Sequence, residues 1–127
     1  MKISMDSREG AGNTEITGIH CKLDRALDWF QKLDGIKHTL ISLDREDSSQ
    51  MMIGGGPNEF VVSLSKDDAD HTLTNSQASG DTTSYICVGG QYGDFPDSMR
   101  NDSKATLTAI RTYFESAEDT LDWVKTV

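Results

Sequence analysis

Apolar positions along this chain follow two spacings, and the spacing assigns each run to helix or strand. Residues 23–35, LDRALDWFQKLDG, place Leu23, Ala26, Leu27, Phe30 and Leu33 on one helical face, with Gly35 positioned to end the helix. A second helix is predicted over 103–119, SKATLTAIRTYFESAED, where Leu107, Ile110, Phe114 and Ala117 form a stripe with Tyr113 beside it. The remaining runs read as strands: TEITGIHC (14–21), HTLISLD (38–44), QMMIG (50–54), NEFVVSLS (58–65), a short edge strand HTLTN (71–75) and a buried strand TSYICVGG (83–90). In NEFVVSLS the residues Phe60, Val62 and Leu64 share one face. Consecutive strands with a helix near each end predict an α+β fold. Its antiparallel sheet would have about five or six strands, with the N-terminal and C-terminal helices packed on it. Residues 1–13 fall outside these elements and are expected to be flexible. No repeat or linker divides the chain, so residues 1–127 are read as one domain.

The segment MMIGGGPNEF (51–60) tests whether a phosphate loop is present. Such a loop leads from a strand into a helix, so that backbone N–H groups and the helix dipole meet the anion. Here the glycines run into EFVVSLS, an alternating β-branched stretch, and no lysine follows Gly56 within nine residues. The three glycines, Pro57 and Asn58 describe the turn of a hairpin that needs positive φ.

Other chemistry finds no better footing. His20 and His38 flank apolar segments, His71 sits among aspartates, and no pair has zinc-ligand spacing. The stretch KDDADHT alternates Asp68 and Asp70 as a calcium loop does, but it lacks the central glycine and the closing glutamate. No Gly-x-Ser-x-Gly elbow occurs, and no carboxylate pair is singled out. The expectation is a protein without metal or cofactor, and not an enzyme. Cys21 and Cys87 both lie in apolar runs and are expected to be reduced thiols in buried strands. The start MKISMDSREGAGN has no apolar core after its lysine and no run approaches a membrane span, so a cytoplasmic location is expected.

Charge changes the picture. The formal net charge is −9, from 21 acids against 12 bases. Nucleic acid and anionic membrane are therefore disfavoured as partners, and a basic protein surface is favoured. The excess concentrates between Lys66 and Asp102. That stretch holds Asp67, Asp68, Asp70, Asp81, Asp94, Asp97 and Asp102 against only Lys66 and Arg100.

The succession IGGGPNEFVVSLS, YICVGGQYGDFPDSM and AIRTYFESAEDTLDW resembles the type-one Imm family of bacterial polymorphic-toxin immunity proteins. The matching positions are Gly54, Gly55 and Gly56, Val61 and Val62, Gly89 and Gly90, Ala109, Tyr113 and Phe114, and Trp123. They span about residues 36–124, with a looser helix match at 23–34. Val124 departs from the acidic residue that often follows the final tryptophan in that family. The resemblance implies an immunity protein that binds a cognate toxin domain with a basic face, often a nucleic-acid cytosine deaminase, and occludes its active or substrate-binding face.

Candidate contact residues come from two stretches and one chain end. GGQYGDFPDSM reads as a loop offering Gln91, Tyr92, Asp94, Phe95 and Asp97, and SKDDADH offers Asp67, Asp68 and Asp70. Tyr92 and Phe95 either meet a partner or fold back to cap the core, and Trp29 and Trp123 are either anchors or half-buried packing. Two other readings remain open: a small acidic enzyme or ligand-binding domain with a carboxylate site, and an acidic adaptor for another basic protein. The oligomeric state is not legible, although an uncovered HTLTN edge would offer a strand for pairing.

Overall fold

A computed structural model describes residues 1–80 and 82–126, so Asp81 lies outside the described residues. The fold is α+β. Its elements are β1 (Lys2–Glu9), β2 (Gly12–Gly18), α1 (Leu23–Phe30), β3 (Leu40–Asp44), β4 (Gln50–Gly55), β5 (Phe60–Lys66) and β6 (Ala69–Leu73). They continue with β7 (Thr83–Val88), β8 (Gln91–Pro96), α2 (Ser103–Phe114) and β9 (Trp123–Thr126). Seven strands form one antiparallel sheet in the order β2-β1-β3-β4-β5-β6-β9, and β7 and β8 pair separately as a ribbon.

One face of the sheet carries the core. Cross-strand partners Ile3–Leu43, Met5–Ile41, Ile41–Ile53, Met51–Leu64 and Ile53–Val62 place successive apolar side chains on the same side. Both helices cover them. Phe30 of α1 meets Phe60 at 4.7 Å between ring centres, and Tyr113 of α2 is 0% exposed, with its hydroxyl 2.8 Å from Ser49 Oγ. The buried face of α2 is Thr106, Ala109, Ile110 and Tyr113. It is rotated from the expected stripe, leaving Leu107 and Phe114 half-buried at its margins. Asp102 caps this helix by accepting the Ala105 N–H at 2.8 Å.

The glycine run is a hairpin turn, as expected. β4 and β5 pair up to Gly55–Phe60, and the Gly56 N–H donates to Glu59 O across the bend. Gly55 and Gly56 hold φ of 99° and 104°, and a Cβ on Gly56 would stand 2.4 Å from Leu33 O. Only glycine fits there.

Several expectations need correction. Residues 2–9 form a strand inside the sheet, where a flexible lead-in was expected. The first predicted strand shifts to Gly12–Gly18, so Cys21 sits in the connection to α1, buried but outside any strand. The 71–75 segment is Ala69–Leu73 and is no edge, because β9 pairs along it and takes the edge itself. Residues 91–96 form β8 rather than a loop. Four-residue β9 was invisible because Trp-Val-Lys-Thr is too short to show a period.

Candidate functional site

The ribbon sits on the sheet face opposite the helices. Ile53 points to the core, so its neighbour Gly54 points the other way, and Val88 of β7 fills the space a side chain would occupy there. Ile86 lies likewise against Gly55. A polar clamp holds the ribbon tip. Asp6 accepts hydrogen bonds from Thr39 N (2.6 Å), Leu40 N (3.0 Å) and Arg8 Nε (2.7 Å). Thr39 Oγ1 in turn accepts the Gly90 N–H at 3.0 Å, and Arg8 donates to Gly89 O. Burial pushes the Asp6 carboxyl up, but these donors outweigh it and hold its pKa below the ordinary value. Arg100 ties the base of the ribbon, donating to Phe95 O (2.7 Å), Thr82 O (3.2 Å) and Glu59 Oε2 (2.7 Å).

Strand alternation divides the candidate residues of β8. Gln91 and Phe95 share the inner side with Gly93, and the half-buried Phe95 ring folds back over Gly93. Tyr92 and Asp94 lie on the opposite side with Tyr85 and Cys87 of β7, where Cys87 is buried and the other three are exposed. Of the two aromatics, one caps and one faces solvent. Tyr92 stacks on Tyr85 with 5.3 Å between ring centres, and the two are 60% and 68% exposed. Asp94 lies directly across from Tyr85 in the register and is exposed. Asp97 has a structural task instead: its Oδ2 accepts the Gly80 N–H at 2.9 Å and its own N–H donates to Thr82 O.

The second acidic stretch is remote from the first. Asp67 and Asp68 form the two-residue turn between β5 and β6, with φ of 53° and 60°. Aspartate tolerates that left-handed backbone, so turn formation accounts for their presence. The turn lies beyond the Lys66 end of β5, whereas the ribbon packs near the Phe60 end. Six residue steps separate these ends, roughly 20 Å at strand rise. Asp70 follows on β6, exposed and paired with Thr126. Trp123 is half-buried and donates from Nε1 to Glu118 O at 2.9 Å. It lines a groove of about 380 Å³ with Lys66, Asp67 and His71. Trp29 is half-buried against the core.

The same end of the sheet holds a buried ion cluster. Glu118, 1% exposed, receives Arg45 through both oxygens (2.9 and 2.7 Å) and Lys66 at 2.8 Å. Arg45 also lies 4.3 Å above the Tyr113 ring. The Arg45 hydrogen bond, outweighing burial, lowers the Glu118 pKa to about 2. This network fastens the β3–β4 turn and β5 to the segment after α2, and all its charges are paired.

Among the described residues, every carboxylate whose titration is displaced moves downward: Asp6, Asp34, Glu46, Asp47 and Glu118. A general acid needs the opposite displacement. Among the described residues no group of three or more His, Cys, Asp and Glu is placed to hold a metal ion, and no helix is long and apolar enough to cross a membrane. Cys21 and Cys87 are free and buried, and burial raises the Cys21 pKa.

The sequence reading missed Tyr85, taken as part of a buried strand, and Arg100. The strand was expected to be buried with Ile86 and Val88 alternating against Tyr85 and Cys87; the alternation holds, but Tyr85 is 68% exposed because only one face of the ribbon meets the sheet.

No family model matches this chain, and no curated protein matches it significantly. Most of the positions that carry the Imm resemblance serve turns and packing. Gly54 and Gly56 admit close neighbours, Val62, Ala109 and Tyr113 are buried, and Gly89 and Gly90 turn the ribbon.

Proposed function

We propose that this chain is an immunity-type inhibitor: a cytoplasmic protein that neutralises a cognate toxin by docking the outward face of its β7–β8 ribbon on the toxin's basic, nucleic-acid-handling face. The observation that carries the reading is the stacked, solvent-facing Tyr85–Tyr92 pair beside Asp94. Paired exposed tyrosines bring no fold stability that burial would not improve on, whereas at interfaces tyrosine is a favoured anchor. The net charge of −9 would speed encounter with a basic partner and discourage contact with the partner's own nucleic-acid substrate. A deaminase is the toxin class that the Imm resemblance suggests. The carboxylate-enzyme reading has less support, because among the described residues the displaced carboxylates all favour the ionised form.

The test is reconstitution with the toxin domain encoded beside this gene. A stoichiometric complex with lost toxin activity supports inhibition. A complex that leaves activity intact supports the adaptor reading instead, and no complex removes both.

A further inference from the structure

The outward ribbon face borders a cleft of about 200 Å³, walled by Tyr85, Tyr92 and Cys87 on one side and by the Asp34–Gly35 and Gly56–Glu59 turns on the other. Drug-sized ligands and cofactors occupy roughly 300–1,000 Å³, so this cleft suits a single side chain. Its chemistry is selective. Two tyrosines and two acidic residues, Asp34 and Glu59, are among its lining, with Asp94 across from Tyr85, and none of its lining residues is a lysine or arginine. Just outside, Arg100 occupies Oε2 of Glu59. Asp34 is held in place by the N–H groups of Ile36, Lys37 and His38, all donating to Oδ1 within 3.1 Å. Burial works against its ionised form, but these donors outweigh burial and keep it charged.

We propose that this cleft is the socket for an arginine side chain of the partner, its guanidinium lying on the Tyr92 ring and its charge facing Asp34 and Glu59. The assignment rests on the reading of the ribbon as the docking face and names the group it grips. A guanidinium is planar, weakly hydrated and able to stack and fork at once, whereas an ammonium is a strongly hydrated point charge. A face built to handle nucleic acid is rich in such arginines. Occupying one of them would compete with the phosphate it otherwise contacts.

NMR titration of the intact protein with N-acetyl-arginine amide, N-acetyl-lysine amide and N-acetyl-citrulline amide separates the possibilities. The expected result is that Tyr85, Tyr92, Cys87 and Gly35 resonances respond to the arginine probe roughly fivefold more strongly than to citrulline, the factor corresponding to about 1 kcal/mol of cation–π attraction. The response should vanish in Tyr92→Leu. An equal response to citrulline, an equal response to lysine, or shifts located elsewhere would each overturn the socket. A toxin complex that forms and inhibits while the arginine probe leaves these resonances still would reject the socket and keep the function. An arginine response without any toxin complex would do the reverse.

Discussion

Gly54 of β4 and Val88 of β7 meet where the ribbon crosses the sheet, and a Cβ on Gly54 would stand 2.4 Å from Val88 Cγ1 and 2.8 Å from Cγ2. Valine has little χ1 freedom with which to withdraw. Gly54→Ala is therefore expected to lift the ribbon and cost about 1–3 kcal/mol. Adding Val88→Ala should recover part of that loss by returning the space. Denaturant midpoints of the single and double variants read this directly. A Gly54→Ala midpoint equal to wild type would mean that the contact does not seat the ribbon.

The Asp6 clamp makes a local prediction. Asp6→Asn keeps an oxygen to accept from Thr39 N and Leu40 N but sets an amide N–H₂ where Oδ2 accepted from Arg8 Nε, leaving donor facing donor in a part-buried site at a cost of about 1–3 kcal/mol. Amide hydrogen exchange at Gly90, whose N–H reaches Thr39 Oγ1, should quicken more than exchange in the β4–β5 ladder. Uniform quickening across the sheet would contradict a role confined to the ribbon tip.

Acid stability should follow Glu118. Its pKa is lowered from 4.5 to about 2 in the folded protein, so its contribution is complete above pH 4.5 and is lost as pH falls toward 2. At roughly 1.4 kcal/mol per unit this amounts to about 3 kcal/mol. Glu118→Gln removes the buried carboxylate that Arg45 and Lys66 share, leaving them Asp47 and Asp119 at the surface, and is expected to cost about 3 kcal/mol near neutrality. Its stability should also fall less steeply than wild type below pH 4.5. Parallel pH curves for the two proteins would show that other carboxylates set the acid limb.

Asp94 is the acidic residue best suited to a test of steering, because it is exposed on the outward face, whereas Asp97 fastens Gly80. Asp94→Lys should keep stability within about 0.5 kcal/mol. It should slow association with the proposed basic partner about tenfold at low salt, and the difference should shrink as ionic strength rises. Stopped-flow association at several salt concentrations measures this. An unchanged rate at low salt would take Asp94 out of the encounter.

The sequence was most informative where one signal was repeated over many residues. The β4–β5 hairpin was readable because its glycines and the alternation Phe60, Val62, Leu64 agree. β1 was missed because KISMDSRE buries only Ile3 and Met5 among its apolar positions, with Lys2 before them and Asp6, Arg8 and Glu9 after. In that strand nothing local distinguishes Asp6, which clamps the ribbon through Thr39, Leu40 and Arg8. The acidic stretches looked alike in sequence, yet two aspartates make a turn, one ties a loop and one stands free. Those roles depend on long-range pairing that no local pattern carries. The tyrosine stack joins residues 85 and 92 across a hairpin whose second strand contains Gly93 and Pro96, residues that read as loop.

The most direct measurement is the dissociation rate of the proposed complex between this chain and a toxin domain encoded beside it. Wild type would be compared with Tyr92→Ala on the ribbon and with Asp67→Asn/Asp68→Asn at the far turn, where asparagine keeps the left-handed backbone. The account predicts dissociation about 30-fold faster for Tyr92→Ala, the effect of losing a 2 kcal/mol anchor, and no change for the turn variant. A complex loosened by the turn variant and indifferent to Tyr92→Ala would place the interface at the other end of the sheet and contradict it.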